Sequence, residues 1–121
     1  MIYLASVYSL NHTSDSLEDM AVRETRYRYV CKRAGELMAK GEHIYSPIAH
    51  NHVIALMTPN MPKTWDFWKR MDLHVLSRCN AVYVLNMPGV GESTGVQAEI
   101  AYALSIGIPV VYLDCPDYEG E

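Results

Sequence analysis

The chain has 121 residues, of which 50% are hydrophobic and 20% charged, and its formal net charge at pH 7 is −4. This length and composition predict a single globular domain, residues 1–121, with its own hydrophobic core. The negative charge argues against a nucleic-acid polymer as partner, because such binding needs a basic face. The basic residues between Arg23 and Lys40 recur at helical spacing, which is typical of a solvated helix face. No segment is long enough to span a membrane, so we expect no membrane partner.

The cysteines and the N-terminal residues indicate the cellular compartment in which the protein works. Cys31, Cys79 and Cys115 are odd in number and far apart, with no C-x-x-C pair. This pattern favours a reducing compartment over a disulfide framework. Residues 1–6 lack the basic region and the long apolar run of a signal peptide. We therefore predict a cytoplasmic protein.

The first half of the chain predicts two strands around one long helix. Ile2–Val7 has the apolar character of a buried strand, and residues 11–15 form a polar loop after it. Ser16 is a candidate N-cap for a helix that Gly41 ends. Glu42–Ile48 is a short second strand.

The second half predicts helices that alternate with two further strands. His50–Met61 is apolar in the middle and is then broken by prolines. This pattern indicates a short helix, followed by a loop that covers the ligand-binding site predicted below. The remaining elements are a helix over Thr64–Cys79, a third strand over Ala81–Asn86, a helix over Ser93–Ile106 and a fourth strand over Pro109–Leu113. On the Thr64–Cys79 helix we interpret Trp65 and Trp68 as packing residues, with stacking on a bound base as the alternative.

Alternating strands and helices predict the fold class. They favour a parallel sheet with right-handed crossovers. We expect an α/β, flavodoxin-like (Rossmann-like) three-layer sandwich with four parallel strands in the order 2-1-3-4. The acidic tail Asp114–Glu121 is too short for a fifth strand and helix, and we expect its end to fray. An exposed sheet edge is a liability, so we also expect a homo-oligomer.

The residues that follow the strands are the candidates for a binding site. In parallel sheets of this kind, ligands bind outside the carboxyl ends of the strands. The residues concerned are Ser6, Tyr8 and Ser9 after the first strand, Ser46, Pro47 and His50 after the second, and Asn86 through Ser93, with Pro88 and Gly89, after the third.

The segment from Ser93 to Glu99 carries the most specific pattern. It follows a strand and a glycine-containing loop, and it opens a helix. Free backbone N–H groups of Gly95 and Val96 at such a helix N-terminus form a place for an anion. Glu99 then lies about one turn into the helix and faces the same cleft. The alternatives are that Glu99 is a solvated glutamate favoured by the helix dipole and that Ser93 is an ordinary N-cap.

A metal site from His50 and His52, with His12 or His74, is disfavoured. Alternate residues point to opposite faces of a strand and lie about 200° apart on a helix. We expect no metal and no cofactor, and we interpret His50 as a hydrogen-bond donor in the cleft wall.

Five features in order resemble a known enzyme family. They are Tyr3-Leu4-Ala5-Ser6, the long helix ending at Gly41, Ser46-Pro47, Asp72-Leu73, and Ser93-x-Gly95-Val96-x-x-Glu99. This arrangement resembles the nucleoside 2-deoxyribosyltransferase superfamily, including its 2′-deoxynucleoside 5′-phosphate N-hydrolase branch. The chain is most similar to a sub-branch of short bacterial and phage proteins.

The resemblance implies roles for particular residues. Glu99 matches the nucleophile, Asp72 the carboxylate that handles the proton and the base, and Ser93 the serine that holds a 5′-phosphate. Tyr3 or Tyr8 corresponds to the tyrosine that orients the nucleophile. The implied reaction is cleavage of an N-glycosidic bond of a nucleoside or nucleoside 5′-monophosphate through a glycosyl–carboxylate intermediate, completed by water or by a second base.

Two other functions compete with this one. The segment Pro88-Gly89-Val90-Gly91 is similar to the loop of phosphoribohydrolases of the cytokinin-activating type, but the acid of that pattern would fall on Val96. A non-catalytic nucleotide-binding or regulatory module is the alternative from a different class, since fold does not determine function.

Overall fold

The computed structural model describes residues 1–9 and 16–120. The elements are β1 (Ile2–Ala5), α1 (Leu17–Ala39), β2 (Ile44–Tyr45), α2 (Pro47–Met57), α3 (Trp65–Ser77), β3 (Ala81–Asn86), a 3₁₀ turn (Val90–Glu92), α4 (Thr94–Ser105) and β4 (Val110–Asp114). The predicted polar loop at 11–15, including His12, lies outside the described residues.

The four strands form one parallel sheet in the order β2-β1-β3-β4. This confirms the predicted α/β, flavodoxin-like arrangement. In the register of the sheet, Ile2 is opposite both Ile44 and Ala81, and Val82 is opposite Val110. The helices pack in pairs as well as on the sheet: α1 contacts α2, and α3 contacts α4.

The two central strands form the middle of the hydrophobic core. Tyr3 and Leu4 of β1 and Val82 and Val84 of β3 are fully buried. Strands covered on both faces have near-continuous apolar sequences of this kind. Because both strands are held so tightly, the loops that leave their carboxyl ends begin from fixed points.

The second strand is shorter than the sequence predicts. The expected strand was Glu42–Ile48, whereas β2 contains only Ile44 and Tyr45. The physical reason is a helix start: the Ser46 hydroxyl accepts a hydrogen bond from the backbone N–H of Ala49 at 3.0 Å, and a proline follows at the first helical position. The α2 helix therefore begins at Pro47, three residues before the predicted start at His50.

The other predicted helix starts agree with the structure. Ser16, Thr64 and Ser93 each accept a hydrogen bond from the backbone N–H three residues later. The first strand ends at Ala5, before the expected Val7, because its pairing with β3 ends there. The residues just beyond it remain buried.

The first residues of the acidic tail, Asp114 to Tyr118, contact α1. Asp114 still belongs to β4, and its carbonyl accepts a hydrogen bond from Arg33 at 2.8 Å. The Tyr29 hydroxyl of α1 donates to Asp117 at 2.6 Å, and the rings of Tyr29 and Tyr118 lie 4.9 Å apart. These contacts attach the residues that follow β4 to α1.

Two further properties concern the cysteines and the length of the helices. The three cysteines are free thiols. In the part of the chain that the structure describes, none of the helices has both the length and the apolar character to cross a membrane.

Candidate active site

A cavity of about 450 Å³ opens beside the carboxyl ends of β1 and β3. This volume is within the range of small-molecule sites. Most of the residues predicted from the sequence line it, namely Ser6, Tyr8, Asp72, Gly89, Ser93, Gly95, Val96 and Glu99.

Four predicted residues do not line the cavity. Tyr3 lies beneath it and bonds to Glu99. Ser46 is buried and caps α2, which occupies its hydroxyl oxygen. His50 is exposed and bonds to Asn51 at 2.7 Å, and exposed Pro88 contributes its carbonyl to a contact with Arg26 at 3.4 Å.

Glu99 is buried, with 4% of its surface exposed. It shares a face of α4 with Val96 and Ala103, three residues before and four after it, and both of these are buried in the core. The helical period therefore turns the carboxyl toward the interior. This differs from the alternative of a solvated glutamate in the first turn.

The Tyr3 hydroxyl donates a short hydrogen bond to the Glu99 carboxyl. Tyr8, the other candidate, bonds to His52 instead. Burial raises the pKa of Glu99 to about 8; the Tyr3 hydrogen bond opposes this shift and the charge of Asp72 adds to it. Burial, together with the neighbouring carboxylates, also raises the pKa of Tyr3, so that its phenol stays protonated and remains a donor.

Asp72 lies on the buried face of α3, four residues before the fully buried Leu76. The amide of Asn51 donates a hydrogen bond to its carboxyl at 3.4 Å. Burial raises the pKa of Asp72 to about 6, while the Asn51 hydrogen bond and the charge of His50 act in the opposite direction. His50 thus influences the site electrostatically from outside the cavity.

The two carboxyl groups form a coupled pair. Since the Asp72 charge raises the pKa of Glu99, ionisation of the first carboxyl disfavours ionisation of the second. With pKa values of about 6 and about 8, the pair carries one proton between these pH values. Because the lower pKa is that of Asp72, the major form between these pH values has Asp72 ionised and the proton on Glu99. The form with Glu99 ionised and Asp72 protonated, which combined nucleophilic and acid catalysis requires, is the minor one.

The N-terminus of α4 contributes backbone groups to the cavity. The Ser93 hydroxyl accepts a hydrogen bond from the N–H of Val96 at 3.2 Å, so the N-cap interpretation of Ser93 is confirmed. Gly95 lies against Trp65, where an added Cβ would be 3.4 Å from the indole. Trp65 and Trp68 both line the cavity and are half-buried, so packing and contact with a ligand are compatible for them.

Sequence reasoning missed several residues at the site. Asn51, His52 and Arg23 line the cavity. Asn51 and His52 lie in a segment whose helix start was placed too late; the Ser46-Pro47 pair was the available signal. Arg23 was assigned to a solvated face, as was Arg26, which is 2% exposed and donates to the Ser9 carbonyl at 2.8 Å.

The histidines of the site are engaged by protein groups. His52 bonds to Tyr8 and to Glu24 through its two ring nitrogens. In residues 1–9 and 16–120, the structure contains no group of three histidine, cysteine or carboxylate side chains positioned to hold a metal ion.

Comparison with known proteins adds one family. The profile of the family described as Domain of unknown function (DUF1937) matches residues 1–115, which include all the strands and helices described above. A comparison with curated proteins gives no match.

The buried Glu99 carboxyl predicts a dependence of stability on pH. Its pKa is about 8 in the folded chain against 4.5 for the unperturbed group, so between these pH values the unfolded chain binds fewer protons and stability falls as pH rises. We expect Glu99→Gln to stabilise the protein at pH 8 by on the order of a few kcal/mol, and by much less at pH 5. Urea unfolding at both pH values measures this. Exposed Glu119, changed to Gln, is the control, and an equal effect of both substitutions would contradict the prediction.

Proposed function

We propose that this chain, which belongs to the DUF1937 family, cleaves the N-glycosidic bond of a nucleoside or a nucleoside 5′-monophosphate. The observation that carries the proposal is the buried Glu99 carboxyl, bonded to Tyr3 and coupled to Asp72, at the wall of a cavity of nucleoside size. The resemblance to the nucleoside 2-deoxyribosyltransferase superfamily assigns the same residues to this chemistry.

In the proposed mechanism, Glu99 attacks the anomeric carbon of the sugar. The C–N bond breaks, its electron pair leaves with the base, and Asp72 supplies the proton that neutralises the leaving base. The hydrogen bond from Tyr3 fixes one carboxyl oxygen and so orients the other toward the cavity. Water then cleaves the glycosyl ester and regenerates Glu99, or a second base takes the sugar; both completions belong to the proposal.

The lining of the cavity supports this class of ligand. Ile48 and Ala55 of α2 and the indoles of Trp65 and Trp68 give one apolar and aromatic wall, which suits a planar base. The loops after β1 and β3 supply hydroxyls and backbone groups on the polar wall, which suits a sugar. Asp72 comes from the α3 helix that carries both indoles, which supports its proposed role as proton donor to the leaving base.

A 5′-phosphate is supported by charge and by the start of α4. The Ser93 hydroxyl occupies the N–H of Val96, so the predicted pair of Gly95 and Val96 is corrected. The first N–H groups of a helix have no partner within it, and those left for a phosphate belong to Thr94 and Gly95, which line the cavity. Arg23 and Lys63 also line the cavity and supply the positive charge that segment 86–99 lacks. Glu92 is on the same wall and opposes a dianion.

The central test is turnover of a panel of nucleosides and 5′-monophosphates, with and without an acceptor base. We expect Glu99→Gln to lower kcat/KM for the best substrate by on the order of 10³-fold or more, because the substitution keeps the shape and removes the nucleophile. Glu92→Gln, an exposed carboxylate of the same cavity, is the control and should change turnover of the unphosphorylated nucleoside by a few-fold at most.

Two outcomes would contradict this proposal. Turnover by Glu99→Gln within a few-fold of the native protein would exclude the covalent mechanism. Binding of nucleotides by the native chain without any turnover would instead support the non-catalytic nucleotide-binding module.

The coupled carboxyls predict a bell-shaped pH profile for kcat/KM, with limbs near 6 and 8. Below the first limb both carboxyls are protonated and the nucleophile is lost; above the second both are ionised and the proton donor is lost. Tyr3→Phe should move the alkaline limb to higher pH and leave the limb near 6 in place, because the Tyr3 hydrogen bond lowers the pKa of Glu99. Initial rates from pH 5 to 9 measure this, and a flat profile would contradict it.

The phosphate contact is tested with Ser93→Ala. As an N-cap, Ser93 contributes about 1 kcal/mol to stability. If its hydroxyl also donates to a phosphate, the substitution lowers kcat/KM for the monophosphate more than for the nucleoside, and we expect this selective loss. Ser16→Ala removes an equivalent cap on α1 and should lower stability without changing the discrimination. A native preference for the unphosphorylated nucleoside would overturn the phosphate contact and leave the role of Glu99 intact.

A cytoplasmic homo-oligomer remains part of the proposal. Apolar side chains on the outer surface of α2 and α3 support self-association, with Leu56 55%, Met57 76% and Phe67 41% exposed. Burying them in a contact between subunits would remove this surface from water. Light scattering measures the mass in solution, and a strict monomer at micromolar concentration would count against an oligomer.

A further inference from the structure

A chain of three side chains runs from the cavity to the protein surface. The Tyr8 hydroxyl lies 2.5 Å from Nδ1 of His52, and Nε2 of His52 lies 2.7 Å from a carboxyl oxygen of Glu24. Tyr8 and His52 line the cavity, while the Glu24 side chain is 41% exposed. The three residues come from different parts of the fold, namely the loop after β1, α2 and α1.

With a neutral imidazole at His52, the chemistry of the three groups determines where the protons lie. An ionised carboxylate only accepts hydrogen bonds, and the bond from His52 lowers the pKa of Glu24, which keeps it ionised. Nε2 of His52 therefore carries the proton, and in the neutral ring Nδ1 is left as an acceptor. Tyr8 donates its single proton to Nδ1. Its oxygen can then only accept a hydrogen bond from a molecule in the cavity.

Neighbouring groups hold this arrangement in place. The ring of Tyr27 stacks on His52 with 4.1 Å between centroids, and the Tyr8 ring meets His52 edge-on at 5.5 Å. Arg28 donates to Glu24 at 3.0 Å from the outer side. His52 itself is 4% exposed. The imidazole is thus fixed by stacking as well as by its two hydrogen bonds.

A second hydroxyl on the same wall has its hydrogen-bonding capacity unused. Ser6 is 6% exposed, and its hydroxyl has no hydrogen-bond partner among the described residues. A buried hydroxyl without a partner is uncommon in native proteins and indicates a group that a ligand or water satisfies. Ser6 and Tyr8 both belong to the segment that follows β1, and both line the cavity.

We propose that Tyr8, held as an acceptor by His52 and Glu24, selects a ligand with a free sugar hydroxyl, which donates to Tyr8 while Ser6 bonds to the same edge of the sugar. Tyr8 contacts the ligand; His52 and Glu24 are positioning residues that act through it. The inference rests on the proposed function for the class of ligand, and it adds the group that the cavity recognises. An acceptor-only substituent of the same size is disfavoured, because it faces the lone pairs of Tyr8.

The test measures binding rather than turnover, in the Glu99→Gln protein. The probes are adenosine and uridine and their analogues in which fluorine replaces the 2′-, 3′- or 5′-hydroxyl in turn, with affinities from calorimetry. Fluorine keeps the approximate size of a hydroxyl and has no proton to donate. We expect one position at which fluorine weakens binding by about tenfold, as for one lost hydrogen bond, and the position identifies the hydroxyl that Tyr8 binds.

Variants distinguish this role from a structural one. Tyr8→Phe should abolish the discrimination at that position only. Glu24→Gln, at a side chain that is 41% exposed, replaces an acceptor-only carboxylate by an amide that also donates to Nε2. The ring proton is then no longer confined to Nε2 and Tyr8 can act as a donor, so the preference for hydroxyl should weaken. Tyr83→Phe changes a half-buried tyrosine outside the cavity and should leave every affinity unchanged.

The possible outcomes separate the two proposals. Nucleoside binding with no position sensitive to Tyr8→Phe would overturn the role of Tyr8 and leave the proposed function standing. No binding of either nucleoside series, nor of the 5′-monophosphates of adenosine and uridine, would overturn both. Discrimination that survives Tyr8→Phe but is lost in Ser6→Ala would assign the hydroxyl contact to Ser6 and contradict the role proposed for Tyr8, His52 and Glu24.

Discussion

The hydrogen bond between Tyr3 and Glu99 joins the first strand to the last helix inside the core. Both side chains are buried, and they are 96 residues apart in sequence. A carboxyl at such a depth is costly unless a polar partner accompanies it. The phenol of β1 provides that partner, and its position is fixed because β1 lies between two other strands. The site therefore depends on the packing of the sheet.

The same burial that makes Glu99 costly gives the site its chemical character. A solvated glutamate would be fully ionised at neutral pH and strongly hydrated. Removal from water raises its pKa to about 8 and, with Asp72 at about 6, produces a pair that shares one proton near neutrality. The burial of an ionisable group at this position thus costs stability.

Side chains from several elements hold the remaining walls of the cavity. Arg26 of α1 donates to the Ser9 carbonyl after β1 and to the Pro88 carbonyl after β3, and so connects the two loops on the polar wall. His52 connects α2 to α1 through Glu24 and to the first loop through Tyr8. Rigid walls of this kind reduce the entropy lost when a ligand binds.

Asp72 was assigned to the site through the family resemblance. The local features of the sequence determined the strand order, the helix starts at Ser16, Thr64 and Ser93, and the placement of Glu99 beside the cavity. Each follows from short-range patterns: apolar periodicity, a hydroxyl before a helix, and the rule that sites lie at the carboxyl ends of parallel strands. The extent of β2 was misjudged because an apolar run fits either a strand or the start of a helix.

Only the tertiary structure decided between Tyr3 and Tyr8 as the partner of Glu99, placed Arg23 and His52 at the cavity, and removed His50 from its wall. These outcomes depend on contacts between residues that are distant in sequence, such as Tyr8 with His52 and Glu24 with His52, separated by 44 and 28 residues. Local propensity carries no information about such contacts. They are determined by which helices pack against which strands, and that is settled when the core forms.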